Sequence, residues 1–250
     1  GIFSDSTDTT LNDAITREEA ALYAFNALTG AMTVSYSSTL DAYYSGTTPF
    51  ADIAEEDEYL YTLGYQVYDL EQGDSGIDDF GRVGYTWEVD GTEITDTYTD
   101  DPAATFTGEV TSAEIYSEVG SSYAGDATLY VDGEQLEDFP ITRNNTVDSV
   151  GYLSSETYVY TDSDAYEVTI VVINTYLGEI TAVDDGEVTV TVYDSGLSET
   201  DANMRQHGVN VSGSYDYETT AFNEDEFVLV TVAGGEIQSM QAAGAVNGVM

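Results

Sequence analysis

Two Asp-Ser-Gly triplets, Asp74-Ser75-Gly76 and Asp194-Ser195-Gly196, are the first residues in this sequence whose types could do chemistry. Pepsin-like proteases carry such a triplet twice, and their paired aspartates share one proton because adjacent carboxylates cannot both ionise. Asp194 follows an apolar strand pattern, as that chemistry requires. Asp74 follows Leu70-Glu71-Gln72-Gly73, which reads as a loop, and 250 residues are few for a two-lobed enzyme. Both triplets therefore read as turns. A glycosidase needs two carboxylates about 5–10 Å apart. With 48 acidic residues such pairs must occur somewhere, so they diagnose nothing. Trp87 and the scattered tyrosines could form a sugar platform, but Trp87 sits on an alternating strand pattern and reads as core.

Metal chemistry is narrowed by the donors available. One histidine, His207, and no cysteine leave zinc, haem and copper without ligand sets. His207 lies in the polar stretch Asn203–Gly208 and is expected in an exposed loop. Oxygen donors suit a harder cation. Asp162-Ser163-Asp164 and Asp184-Asp185-Gly186-Glu187 gather carboxylates in expected turns, making Asp162, Asp164, Asp184, Asp185 and Glu187 the candidate Ca²⁺ ligands. Asp5 with Asp8, and Glu224-Asp225-Glu226, are further groups of this kind. None follows the D-x-[DN]-x-[DN]-G calcium-loop pattern, and a solvated turn is the competing reading of each. Lysine is absent altogether, which removes Schiff bases, Lys–Asn isopeptide bonds and Walker-type nucleotide sites. Asn144-Asn145-Thr146 and Asn210-Val211-Ser212 match the common glycosylation triplet.

The charge balance bounds the partners. Four arginines (Arg17, Arg82, Arg143, Arg205) face 48 Asp and Glu, a formal −44. Such a charge repels itself unless counter-ions screen it, which points to a salty or cation-rich medium. Nucleic acid and anionic lipid surfaces are excluded, because phosphate affinity needs clustered Lys and Arg. The apolar stretch Val168–Ile173 is far too short to span a bilayer, so no membrane insertion is expected. Neither a secretory leader nor an anchor signal is recognisable, and the ends are expected to be those of a mature product or a fragment. The absence of cysteine, with the acidity and the Tyr/Thr/Ser-rich strands, fits an exported protein.

The elements that would position these residues divide by period. Residues 1–32 are expected to be helical: Thr16 and Glu19 form a capping box, Ala20, Ala21, Ala24, Phe25 and Leu28 give an apolar face, and Gly30 stops the helix. A second helix is expected within Glu55–Leu70. From Tyr85 the period becomes two, with hairpins turning on Asp90-Gly91 and Asp132-Gly133. Thr111-Ser112-Ala113-Glu114 should cap a short helix to Val119. Strands are expected over Glu156–Thr161, Tyr166–Tyr176, Glu179–Val183 and Glu187–Tyr193. A last hairpin runs over Phe227–Ala233 and Glu236–Met240, with Val209–Tyr215 as its neighbour. Breaks near Gly73–Gly76 and Gly196–Asn203 divide the chain into a helical segment (1–75), an antiparallel β domain (76–195) and a small hairpin domain (196–250). The fold class is mainly β, antiparallel sandwich-like or barrel-like domains with a small helical N-terminal part.

Ala14-Ile15-Thr16-Arg17-Glu18-Glu19-Ala20-Ala21, running on to Ala27-Leu28, resembles the end of an S-layer homology repeat, and Gly1-Ile2-Phe3-Ser4-Asp5 resembles the approach to it. Asp78-Asp79-Phe80-Gly81-Arg82 with Thr86-Trp87-Glu88, Val172-Ile173-Asn174-Thr175-Tyr176-Leu177-Gly178-Glu179, and Val228 to Ser239 look like segments that follow such repeats in clostridial surface proteins. The resemblance implies a Gram-positive surface protein, displayed at the cell wall and self-assembling into a lattice or filament. In that family three repeats bind a pyruvylated wall polymer; by this resemblance the chain holds at most the tail of one. The expected function is thus a non-catalytic structural subunit joined through strand edges and tyrosine-rich faces, assisted by Ca²⁺, with other copies of itself as partner. The competing functions are a module binding a cell-wall polysaccharide or host ligand, and a carboxylate hydrolase.

Overall fold

A computed structural model describes residues 17–95, 97–193 and 209–244. The chain forms two compact units, one holding residues up to Gly76 together with Tyr85–Tyr98, the other holding Ile77–Gly84 and the chain from Thr99 on. It therefore passes between units at three places.

The first unit opens with helix α1 (Arg17–Gly30). Its expected N-cap, Thr16, lies outside the described residues. A three-stranded antiparallel meander follows, β1 (Ser35–Ser37), β2 (Ala42–Ser45) and β3 (Thr48–Pro49). The helix expected over Glu55–Leu70 is broken in two. Glu55–Tyr61 is a 3-10 turn, Thr62 is extended with ψ 158°, and α2 (Leu63–Tyr68) begins only after it. The Thr62 hydroxyl accepts the Tyr65 N–H and so starts a new helix. Gly64 sits where a Cβ would lie 2.8 Å from the Leu28 carbonyl oxygen, which lets α2 pack closely on α1. A second sheet comprises β4 (Leu70–Ile77), β5 (Val83–Val89) and β6 (Thr92–Glu93), with β7 (Tyr98–Thr99) also paired to β5. The β5–β6 hairpin turns on Asp90-Gly91, both at positive φ, as expected.

The second unit is built on two sheets. One contains β8 (Ala104–Thr107), β10 (Gly125–Val131), β11 (Glu134–Gln135), β14 (Ser155–Asp162) and β15 (Glu167–Asn174), with β12 (Phe139–Ile141) also on β10. Its pairings are antiparallel except β10 with β15, which run parallel. β9 (Val110–Thr111) pairs with β13 (Ser149–Val150), and α3 (Ser112–Val119) follows with the expected reciprocal cap between Thr111 and Glu114. Ile115 of α3 joins Leu129, Val131, Phe139, Ile141, Val159, Ile170 and Val172 in a closed apolar core.

The other sheet has the order β18-β17-β16-β19-β20, from β16 (Tyr176–Asp184), β17 (Glu187–Val192), β18 (Gly213–Glu218), β19 (Phe227–Ala233) and β20 (Glu236–Ala242). Val188, Val190, Val192, Val228, Val230 and Ile180 point inward, while Thr189 and Thr191 alternate outward. Register shifts at Ile180/Ala182 and Thr231/Val232 curl the sheet, and its edge strands β18 and β20 come near each other as a half-barrel. Strands 213–242, set apart in sequence from 196 onward, thus share a sheet with 176–192. The strand expected beside the last hairpin approaches β20 but takes its ladder bonds from β17, where inward Tyr215 and Tyr217 extend the same apolar face opposite Val190 and Val188. The mainly β, antiparallel, barrel-like class with a small N-terminal helix is what the chain adopts.

Candidate functional site

The carboxylates singled out in the sequence are dispersed. Asp162 Oδ1 accepts the N–H groups of Asp164 (2.7 Å) and Ala165 (3.0 Å), bonds that hold its carboxyl below the usual range. It is the hinge of the β14–β15 turn. Asp184, Asp185 and Glu187 belong to a different hairpin, β16–β17, where Asp184 stands opposite Glu187. Among the described residues no three His, Asp or Glu side chains gather as a metal ion would need. Glu226 turns back to accept both the backbone and side-chain N–H of Asn223 at 3.0 Å. Asp74-Ser75-Gly76, expected in a turn, lies within β4 and is exposed: Gly73 is in contact with Thr86 and Glu88 of β5, so pairing with that strand carries the extended chain through both glycines. Asp5, Asp8, Asp194-Ser195-Gly196 and His207 lie outside the described residues.

The first unit contains a cleft of about 530 Å³. α1 contributes Phe25, Leu28 and Thr29, the 3-10 turn Tyr59, β4 Leu70, Glu71 and Gln72, and β5 Tyr85 and Trp87. The rings of Phe25 and Trp87 meet edge to face at 5.5 Å and 87°, and those of Tyr85 and Trp87 at 5.5 Å and 72°. This is the arrangement preferred by aromatic quadrupoles. Trp87 is 8% exposed, whereas Tyr59 is 54% exposed at the mouth. The Thr29 hydroxyl donates to the Phe25 carbonyl at 3.0 Å, and that of Thr62 to Tyr59 at 2.8 Å. Both hydroxyl protons are therefore committed to backbone. Among the described residues the buried indole N–H of Trp87 has no hydrogen-bond partner.

A second arrangement lies inside the second unit. Asp132 is buried in the β10–β11 turn. Its Oδ1 accepts the Asn174 backbone N–H at 2.8 Å, while Oδ2 accepts the Asn174 amide at 2.8 Å and the Tyr176 hydroxyl at 2.5 Å. The Ser155 hydroxyl donates to Asn174 Oδ1, and Tyr152 N–H donates to Ser155. Burial pushes the Asp132 carboxyl up to about 6 against the downward pull of these bonds, and burial beside that carboxylate raises the Tyr176 hydroxyl also. With its lone pairs filled by protein donors, Asp132 fastens three strand ends and offers a ligand little.

Sequence reading identified the Asp132-Gly133 turn but not the inward carboxylate, whose partners lie 42 and 44 residues away. It also missed Glu71 and Tyr59 as cleft residues. The one local signal for them was the aromatic density around a single tryptophan. Comparison with protein-family models, curated proteins and solved structures finds no match for this chain.

Proposed function

We propose that the chain is a structural subunit of an extracellular bacterial surface layer or filament, joined to further copies of itself through strand edges and tyrosine-rich faces. The observation that carries this reading is the pair of open edges on the half-barrel. Within the described residues β18 pairs only with β17 and β20 only with β19, and although the two edges approach each other they share no ladder pairing. Such edges are templates for pairing with another chain. The meander of the first unit adds an exposed apolar face, with Val34, Tyr36, Leu40 and Tyr43 each more than half exposed and the two tyrosine rings 5.2 Å apart. Large exposed apolar side chains in one small element mark an interaction surface.

The same charge that keeps isolated copies apart, −44, makes assembly depend on counter-ions. Ca²⁺ bridging carboxylates across contacts, including Asp162, Asp164, Asp184, Asp185 and Glu187, fits that need. Placement at the cell wall and the absence of any turnover belong to this reading. Electron microscopy of purified protein checks it: ordered sheets or fibres should form with millimolar Ca²⁺ and dissolve with chelator, and Tyr36→Ser with Tyr43→Ser should weaken them. A protein that stays monomeric at high concentration with Ca²⁺ sinks it. The aromatic cleft favours a second reading, a module that holds a wall glycan or host ligand.

A further inference from the structure

We propose that a cleft of the second unit binds a short linear diammonium ion, two primary amines joined by an alkyl chain. This goes beyond the assembly reading and does not depend on it. The cleft has a volume of about 560 Å³ and lies wholly within the second unit. The segment after β7 is tied down at both ends, Asp100 N–H to the Val83 carbonyl at 2.9 Å and Ala103 N–H to the Val159 carbonyl at 2.8 Å. It brings Asp100 and Asp101 to the same space as Asp162 and Glu167. These last two stand directly opposite each other on β14 and β15, a pairing of like charges that costs stability where no cation lies between them. No arginine lines the cleft, and Arg82 is already paired with Asp78 at 2.7 Å. Burial and the neighbouring Asp101 hold the Asp100 carboxyl above its usual range, as expected where positive charge is lacking.

The observation that points to a ligand is Tyr160. It is 6% exposed, clusters with Phe80, Val171 and Ile173, and lines the cleft. Its hydroxyl lies within electrostatic reach of Asp100 and Asp101, yet it makes no hydrogen bond to any described residue. A buried phenol normally finds a partner. An ammonium group donates three hydrogens, which the phenol oxygen and the surrounding carboxylates can share. Val83 and Ala103 line the same space and offer apolar contact to an alkyl chain. The alternatives fit less well. Among the described residues no three acidic side chains gather as one metal ion would need. An anion is repelled, and a neutral sugar leaves four carboxylates unanswered. The volume exceeds that of a single ammonium group and leaves room for a second charge and its linker.

Full-length protein is titrated by calorimetry in about 150 mM NaCl. The probes are putrescine, n-butylamine (the same chain with one charge), CaCl₂, and a short capped peptide carrying two lysines, which separates a free diamine from a protein's side chains. Putrescine should bind saturably at one site with a Kd on the order of 0.1–1 mM, and the other three at least about 10-fold more weakly there. Tyr160→Phe, which changes no charge, should weaken putrescine about 10-fold, and Asp100→Asn with Asp101→Asn should weaken it further, with unchanged circular dichroism. Asp216→Asn with Glu218→Gln removes the same charge from β18 and should leave the affinity within about 2-fold. Equal binding of butylamine, an equal loss in the β18 control, an unchanged affinity in Tyr160→Phe, tighter capture of Ca²⁺ or of the peptide, or titration without saturation overturns the proposal.

Discussion

Asp132 occupies a left-handed turn position, φ 49°, followed by Gly133 at φ 83°, the Asp-Gly pattern of a tight hairpin. Only glycine fits at 133, since a Cβ there would lie 2.3 Å from the Asp79 carbonyl oxygen. The carboxylate beside it is buried as an acid whose folded value, about 6, lies above its ordinary 3.8. A raised value means that the neutral form is favoured by folding. Its contribution is full below pH 3.8 and is lost as pH rises through about 6, a change of about 3 kcal/mol. Asp132→Asn removes the titration while keeping the shape. The unfolding free energy of the parent minus that of the variant should therefore fall by roughly that amount between pH 4 and pH 7. A difference that is flat, or that grows toward pH 7, refutes the assignment.

At the scale of elements, Gly64 sets two effects against each other. Alanine normally gains about 1 kcal/mol over glycine inside a helix. Here the new methyl would sit 2.8 Å from both the Leu28 carbonyl oxygen and Leu70 Cδ2. Backbone cannot give way as a side chain can, and overpacking costs about 1–3 kcal/mol. Gly64→Ala should lower the denaturation midpoint followed by Trp87 emission; a higher midpoint would show that the α1–α2 contact is loose. The elements legible in sequence were those whose signals are local. Thr111 and Glu114 announce α3, and Asp90-Gly91, Asp132-Gly133 and Gly234-Gly235 each announce a hairpin. What stayed hidden depends on partners far along the chain. The β10–β15 parallel pair and the docking of β18 on β17 join strands with no turn between them. Glu71 and Gln72, read as loop, are strand residues brought to α1 by packing, and no spacing rule reveals the cleft they line.

The whole molecule is governed by its charge. Among the described residues one ion pair is present, Arg82 to Asp78 at 2.7 Å. The remaining carboxylates repel across a surface with few counter-charges. Raising NaCl from about 10 mM to about 1 M shortens the screening length from roughly 30 to 3 Å. The thermal midpoint should rise with it, as calorimetry can establish. A midpoint that holds steady or drops would mean that self-repulsion contributes little to the stability of this chain.

The threading of the chain through its two units has a mechanical consequence. Ile77–Gly84 belongs to one unit while the residues on both sides of it belong to the other. Phe80 in this short segment packs with Tyr160, Val171, Ile173 and Ala233, and Gly81 lies tight against the Tyr130 ring. Tension drawn along the backbone reaches this pin before it reaches the strands beyond Thr99. Opening the second unit from its N-terminal side means first extracting a buried aromatic anchor, and a single proteolytic nick at any one crossing leaves two covalent links between the units intact.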